Sequence, residues 1–405
     1  MLKKNIFLRL VLQFIQFVVA ILVARYLGAS ENGSFSLFIT EAAFLILIIG
    51  FSFESSITYF LAKQKINVSN IIGLIVSLFV FQILFFVLLY FISKWSFEHT
   101  FFNNFSKRNL FYGILFIIAF IIGNAFSAIL FAFKKFEKYF IGSIFIQLAL
   151  LVYILLVKHN DLQFYLDANV VIAIFTCAAL LQALFSIILV YASFKHEIKN
   201  IFNNLPFTKE IFKYTLLVFL ANCIQFLCYR MDVWFVDYYH TREAVGQYAF
   251  ATKIAQLWWV LPQIMAALFF PLLALKEQSV ESFKRSIFYL IFISIITGLV
   301  AMLLYPFIIP IVTSAEYLIS YKAFVCLLPG VIFFSINILL ASKFSADGNV
   351  IYNLKISIIC FVIVLVFNML LIPKYGIVGA AIASTIAYTF SSIFAIFKFV
   401  YGKKN

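Results

Sequence analysis

Residues 70–93 read NIIGLIVSLFVFQILFFVLLYFIS, twenty-four positions without one charged side chain. A bilayer core of about 30 Å is crossed by about 20 apolar residues in a helix, so this stretch predicts a membrane span. Working outward from it, runs of the same kind recur at 6–24, 34–61, 109–133, 139–157, 169–194, 211–238, 245–275, 286–309, 321–343, 353–372 and 377–397. The runs are long and continuously apolar, which excludes a β-barrel built from strands of alternating hydropathy. The connections between them hold about fifteen residues at most, too few for a separate extramembrane domain.

The composition agrees. Of 405 residues, 65% are hydrophobic and 11% charged, against roughly 45–50% and about 25% in ordinary soluble domains. So few charges cannot cover a water-exposed surface of this size. Soluble enzymes, nucleic-acid-binding domains and secreted disulfide scaffolds are excluded. The N-terminal apolar stretch contains Arg9, Gln13 and Gln16 and leads into many further spans, so it reads as a retained helix. Cys177, Cys223, Cys228, Cys326 and Cys360 lie in apolar runs without a C-x-x-C pair and read as small apolar fillers. His99, His159, His196 and His240 fall in different connections, so no metal site and no cofactor is expected.

The net charge of +14 acquires a meaning once the charges are placed. With the N-terminus inside, twenty of the thirty Lys and Arg fall on the cytoplasmic side, among them Lys63, Lys65, Lys199, Lys276, Lys403 and Lys404, and eight on the other. Basic residues gather in cytoplasmic loops. The expectation is a multi-pass membrane protein with both termini cytoplasmic and no nucleic-acid partner.

Twelve spans invite a search for two halves. At an offset of 213, Gly33-Ser-Phe35-Ser-Leu37 aligns with Gly246-Gln-Tyr248-Ala-Phe250. Each stretch opens the second helix of its half after a turn. Six spans return the chain to the same side, so the repeats would be parallel, as in rocking transporters. The expected fold is therefore all-α and polytopic, about 12 transmembrane helices in two six-helix lobes, 1–200 and 201–405, around a central cleft.

Charges inside spans are costly, at least ~2.5–3.5 kcal/mol each on insertion scales, and tend to mark function. Arg230 and Asp232 lie on span seven, Lys253 on span eight and Glu41 on span two. At 1.5 Å per residue all four sit ~9–12 Å below the external edge. One reading pairs Asp232 with Lys253 and Glu41 with Arg230 as structural ion pairs. The other makes a wet cavity in which Arg230 and Lys253 hold an anionic substrate while Asp232 and Glu41 titrate or pair during transport. Arg suits phosphate because its fork presents two parallel donors. Asn222, Gln225 and Tyr229 share a face near Arg230 and would meet sugar hydroxyls or else tie helices together. Gln256 and Gln263 would add to the same lining. Trp258-Trp259 fits sugar stacking or plain packing, while Arg25, Glu54 and Asp237, nearer span ends, read as interfacial anchors.

Several stretches resemble a known family. Ala24-Arg-Tyr-Leu-Gly-Ala-Ser-Glu-Asn-Gly33 is similar to the entry to span two of polysaccharide flippases in the multidrug/oligosaccharidyl-lipid/polysaccharide exporter superfamily, the fold class of the MATE transporters. Tyr229-Arg-Met-Asp232 with Val245-Gly-Gln-Tyr248, and Leu371-Ile-Pro-Lys-Tyr-Gly-Ile-Val-Gly-Ala-Ala-Ile-Ala383, resemble its later signatures. In the last, Gly376 permits a tight reversal and Gly379, Ala380 and Ala383 close packing. The resemblance implies no catalysis. It implies a flippase that moves an undecaprenyl-diphosphate-linked oligosaccharide, such as an O-antigen repeat unit, to the periplasmic leaflet. Implied partners are the lipid-linked glycan, membrane lipid, a proton or sodium ion, and a polysaccharide polymerase complex. The alternatives are a multidrug exporter of the same superfamily, which would favour an acid-rich cavity, and a membrane-embedded glycan polymerase, which would need a substantial catalytic loop.

Overall fold

The computed structural model describes residues 2–63, 67–96, 107–159, 167–198, 208–274 and 279–401. His99 and the basic residues at 65, 199, 276, 403 and 404 lie outside them. The described chain is helical: α1 Leu2–Gly50, α2 Phe53–Ala62, α3 Val68–Ser96, α4 Lys107–Ala132, α5 Phe136–His159, α6 Ala168–Phe194, α7 Lys209–Tyr239, α8 Arg242–Ala255, α9 Val260–Ala274, α10 Val280–Val312, α11 Ser320–Ala346 and α12 Val350–Tyr401. Short 3-10 turns, Gln256–Trp259 and Ala315–Ile319, join α8 to α9 and precede α11.

Ten helices among the described residues are long and apolar enough to cross a membrane. Two of them, Lys4–Gly50 and Ile351–Tyr401, hold 47 and 51 residues. At 1.5 Å per residue a straight helix of that length would reach ~70 Å, more than twice a bilayer core. Each is in fact two helices meeting at a glycine whose backbone leaves helical geometry, Gly28 (φ 70°, ψ 178°) and Gly376 (φ 55°, ψ −134°). Only glycine enters that region without a steric cost.

Two expected spans are not the continuous helices that their hydropathy suggests. The run 34–61 breaks after Gly50, where Phe51 and Ser52 take φ 52° and 51°, and α2 starts anew at Phe53. The run 245–275 tightens into 3-10 geometry at Gln256–Trp259, three residues before Pro262. Hydropathy averages over such irregularities because the flanking side chains are equally apolar.

The chain forms two compact units, Met1–Val23 with Phe38–Cys223, and Ala24–Leu37 with Ile224–Asn405. Relative to lobes drawn at 1–200 and 201–405, the turn around Gly28 is exchanged into the second unit, and the first half of α7 into the first. In the first unit α4 packs on α2, α5 and α6, around a core of Ile57, Phe60, Leu61, Ile129 and Leu130. In the second, α11 packs on α8, α9, α10 and α12. Its most apolar window is 67% buried, against 17–39% for the other spans, so α11 is the axis of that core.

Polar contacts explain why 24–37 joins the second unit. The Tyr317 hydroxyl meets the carbonyl oxygens of Ala24 (3.2 Å) and Gly28 (3.1 Å), and Glu316 Oε2 accepts the Ala29 N–H at 3.1 Å. These bonds take up backbone groups that the break at Gly28 frees from the helix. The repeat also closes on itself here. A Cβ on Gly33 would stand 1.8 Å from the Arg242 carbonyl oxygen, and one on Gly246 2.0 Å from that of Ala29. Ala29 and Gly33 are the offset-213 equivalents of Arg242 and Gly246, so equivalent positions touch reciprocally, as a local two-fold axis requires.

Candidate functional site

The expected site residues of the second unit sit on α7 and α8. Asp232 is buried, 3% exposed. Its Oδ2 accepts the Tyr248 hydroxyl at 2.5 Å and the Ser384 hydroxyl at 3.3 Å, and its Oδ1 the Val233 N–H at 2.8 Å. A carboxylate in an apolar interior needs such donors, and here they come from α7, α8 and α12. The expected alternative of an Asp232–Lys253 ion pair is not formed. Ion pairs formed elsewhere include Lys4–Glu137, Arg242–Asp237 and Lys343–Asp347.

Arg230 and Lys253 are thus two span-borne cations that do not pair with Asp232. Arg230 is half-buried and Lys253 exposed, and Arg230 lies within electrostatic reach of both Asp232 and Lys253. Like charges inside spans repel each other and favour an anion between them. Gln225, exposed, donates from Nε2 to the Tyr229 hydroxyl at 3.1 Å, as residues one helical turn apart can.

The Tyr229 ring itself is core. It contacts Trp259, Phe334 and Tyr388 at centroid distances of 5.3, 5.8 and 6.2 Å. Trp259 is buried and its indole N–H is spent on the Val331 carbonyl at 3.0 Å, while Trp258 donates to Ser294 and Thr297. Both indoles are thus packing groups, and Tyr229 offers only its hydroxyl edge. Gln256 falls in the 3-10 turn and Gln263 is exposed on α9.

Two expected residues belong to the first unit. Asn222 donates to Ser52 Oγ at 3.0 Å, and Glu41 is 3% exposed. Glu54, expected as an interfacial anchor, lines a cavity there beside Ser52, Gln82 and Asn124. Tyr248 and Ser384 were not singled out as partners of Asp232. Both lie within or beside quoted stretches, Tyr248 in the repeat and Ser384 directly after Ala383, but nothing in their spacing ties them to an acid 16 and 152 positions away.

The model of the family described as polysaccharide biosynthesis protein matches residues 2–274, two thirds of the chain. The chain belongs to this family. Its curated relatives include the capsular polysaccharide biosynthesis protein CapF of Staphylococcus aureus, 25% identical over 191 residues, 46% of this chain and 48% of the relative. Another is the probable low-salt glycan biosynthesis flippase Agl15 of Haloferax volcanii, 22% identical over 46% of this chain and 40% of the relative. The chain thus spans about half the length of the curated relatives it matches. Among solved structures it is similar to the inward-closed lipid II flippase MurJ, with a TM-score of 0.78 and 17% identity over 97% of this chain and 87% of that one. It is also similar to an inward-facing MATE family transporter of the MOP superfamily, at 0.68 and 14% over 94% and 92%. At these identities the likeness establishes a shared MOP-type fold, in agreement with the helical architecture.

Proposed function

We propose that the chain is not an enzyme but a flippase, carrying a lipid-linked oligosaccharide across the membrane by alternating access of two lobes, 1–200 and 201–405. Family membership, the MOP-type fold and the glycan-related relatives support the class. The observation that carries the reading is the pair of span-borne cations, Arg230 and Lys253, neither of which pairs with Asp232. A span tolerates such charges when an anionic ligand or water receives them. An undecaprenyl diphosphate supplies that anion, and the accessible amide of Gln225, with the hydroxyl of Tyr229, matches the hydroxyls of an O-antigen-like or capsular repeat unit.

Asp232 is the acid through which a proton or sodium ion enters the cycle, with Glu41 as the second. Asp232 ties α7 to α8 and α12 through two hydroxyls, so neutralising it loosens three helices at once. The 3-10 turn that starts three residues after Lys253 gives α8 and α9 a place to change pitch, since mid-helix 3-10 geometry often marks a hinge. Both termini face the cytoplasm of a bacterial inner membrane, and delivery is to a polymerase on the far side.

The test is transfer of a fluorescent polyprenyl-diphosphate oligosaccharide across vesicles holding the purified chain. Arg230→Ala is expected to abolish transfer while the protein inserts normally, and Arg230→Lys to keep a part. Unchanged transfer by Arg230→Ala overturns the cation role. Efflux of a cationic dye without glycan transfer would point to the multidrug exporter instead. For orientation, an impermeant thiol reagent applied to whole cells should label Ser30→Cys and not Ser279→Cys.

A further inference from the structure

The run 34–61 is broken within the first unit, and the break opens onto a cavity. The second helix of α1 ends at Gly50, Phe51 and Ser52 turn with positive φ, and α2 starts at Phe53. Against this break lies a cavity of about 150 Å³, walled by Leu47 and Gly50 of α1, Ser52, Glu54 of α2, Gln82 of α3 and Asn124 of α4. That is room for an ion with several waters. The register of α2 on α4 sets Glu54 beside Asn124. The Thr58 hydroxyl meets the Ala128 carbonyl oxygen at 3.4 Å, and these two residues lie four positions, one helical turn, beyond Glu54 and Asn124. Glu54 stands eight residues before Ala62 at the end of α2, and Asn124 eight before Ala132 at the end of α4. Both are thus ~12 Å inside their helix ends, and Gln82 falls near the middle of its span.

The polar groups of this cavity are deep and unspent. Among the described residues no other side chain is hydrogen-bonded to the side chains of Glu54, Gln82 or Asn124, and the Glu54 carboxylate meets only its own backbone N–H. No Lys or Arg lines the cavity, and most of the remaining wall is Ile, Leu, Phe and Ala. A carboxylate at such a depth is costly and marks a place where something receives it. Two features fix the sign of that partner. Carboxylate and amide carbonyl oxygens are hard donors, suited to alkali and alkaline-earth ions. The C-terminal end of α1, the negative end of a helix dipole, reaches the same cavity at Gly50, and transporters hold cations at such ends of broken spans. At the opening of α2, by contrast, the Ser55 N–H is taken by the Ser52 carbonyl at 3.2 Å. One carboxylate among neutral amides balances a single positive charge, whereas a divalent ion would leave charge uncompensated against an apolar wall.

We propose that this cavity binds one alkali-metal cation, held by the Glu54 carboxylate with the amide oxygens of Gln82 and Asn124 and with water. An ion there ties the start of α2 to α3 and α4 at the point where the span is broken. The site belongs to the first unit, whereas Asp232, Arg230 and Lys253 belong to the second, and it does not rest on the transport reading.

The experiment measures equilibrium binding of radioactive sodium, and of rubidium as a potassium analogue, to the purified full chain in detergent, with choline chloride supplying ionic strength. The wild-type chain is expected to bind one of the two saturably, and Glu54→Gln to lose one equivalent per chain. Glu54→Asp, which keeps the charge on a shorter side chain, and Asn124→Leu, which removes one oxygen, should lower the affinity of that equivalent at least several-fold. Asp232→Asn, run in parallel, counts any ion at Asp232 separately, so this site and the transport reading fail independently. In choline chloride alone Glu54→Gln should keep the wild-type thermal midpoint, which separates a lost ion from a lost fold. An unchanged number of bound ions in Glu54→Gln overturns the proposal, as does displacement of the label by an equal concentration of calcium. So does the absence of saturable binding of either ion, the result expected of a carboxyl that simply holds a proton.

Discussion

Asp232 in the second unit and Glu54 in the first are both acids placed by a helix inside an apolar chain, and the two units treat them in opposite ways. Asp232 is sealed in and receives donors from Tyr248, Ser384 and the backbone. Glu54 lines a cavity beside Ser52, Gln82 and Asn124, with no Lys or Arg among the lining residues. The same contrast holds for glycines. Gly246 is pressed against the Ala29 carbonyl, whereas a Cβ on Gly50 would meet nothing nearer than Ile121 at 3.8 Å. A charge held by several donors ties its helices together until it is neutralised, and one with no opposite charge beside it is open to a ligand. Arg230 and Lys253 share the second unit with Asp232, do not pair with it, and under the proposed function belong to the open kind.

The largest expected effect breaks or confirms that classification. Arg230→Ala should abolish detectable oligosaccharide transfer with insertion unchanged, since a lost hydrogen bond to a charged group, about 1.5–3 kcal/mol, is by itself worth at least roughly 10-fold. If transfer survives, Arg230 belongs with the closed kind. Next comes the glycine pair. Gly246→Leu should lower stability by about 1–3 kcal/mol, as overpacking does, seen as a fall in thermal midpoint in detergent, whereas Gly50→Ala should cost less than ~1 kcal/mol.

The acids sharpen the comparison further. Asp232→Ala leaves the Tyr248 hydroxyl in the core without its acceptor, about 1–3 kcal/mol, and Asp232→Asn should recover much of it. Glu54→Gln should move the thermal midpoint little, within about 0.5 kcal/mol. A large loss there would show that Glu54 is built in after all. The smallest effect is expected of Arg242→Ala, which breaks the half-exposed pair with Asp237 at 2.9 Å. Such surface pairs contribute about 0–1 kcal/mol.

Much of this was legible beforehand for a physical reason. Span positions depend on local hydropathy, and a bilayer reads local hydropathy directly. The offset-213 match pointed at Gly33 and Gly246, and the structure adds that the two glycines touch. The reversal at Gly376 was legible because a glycine after Pro373, followed by small residues, has few other uses. The break at Phe51–Ser52 was not, since neither residue type advertises a positive φ. Nor was the fate of Asp232, because its donors lie far away in the chain and a tyrosine or serine in a span has many possible partners.

Composition and periodicity alone determined that the chain is a helical, many-spanned membrane protein with charges at costly depths, because burial in lipid is a property of each segment by itself. Tertiary structure alone decided which of those charges are satisfied. Satisfaction depends on donors that folding brings within about 3 Å, and no segment carries that information within its own sequence.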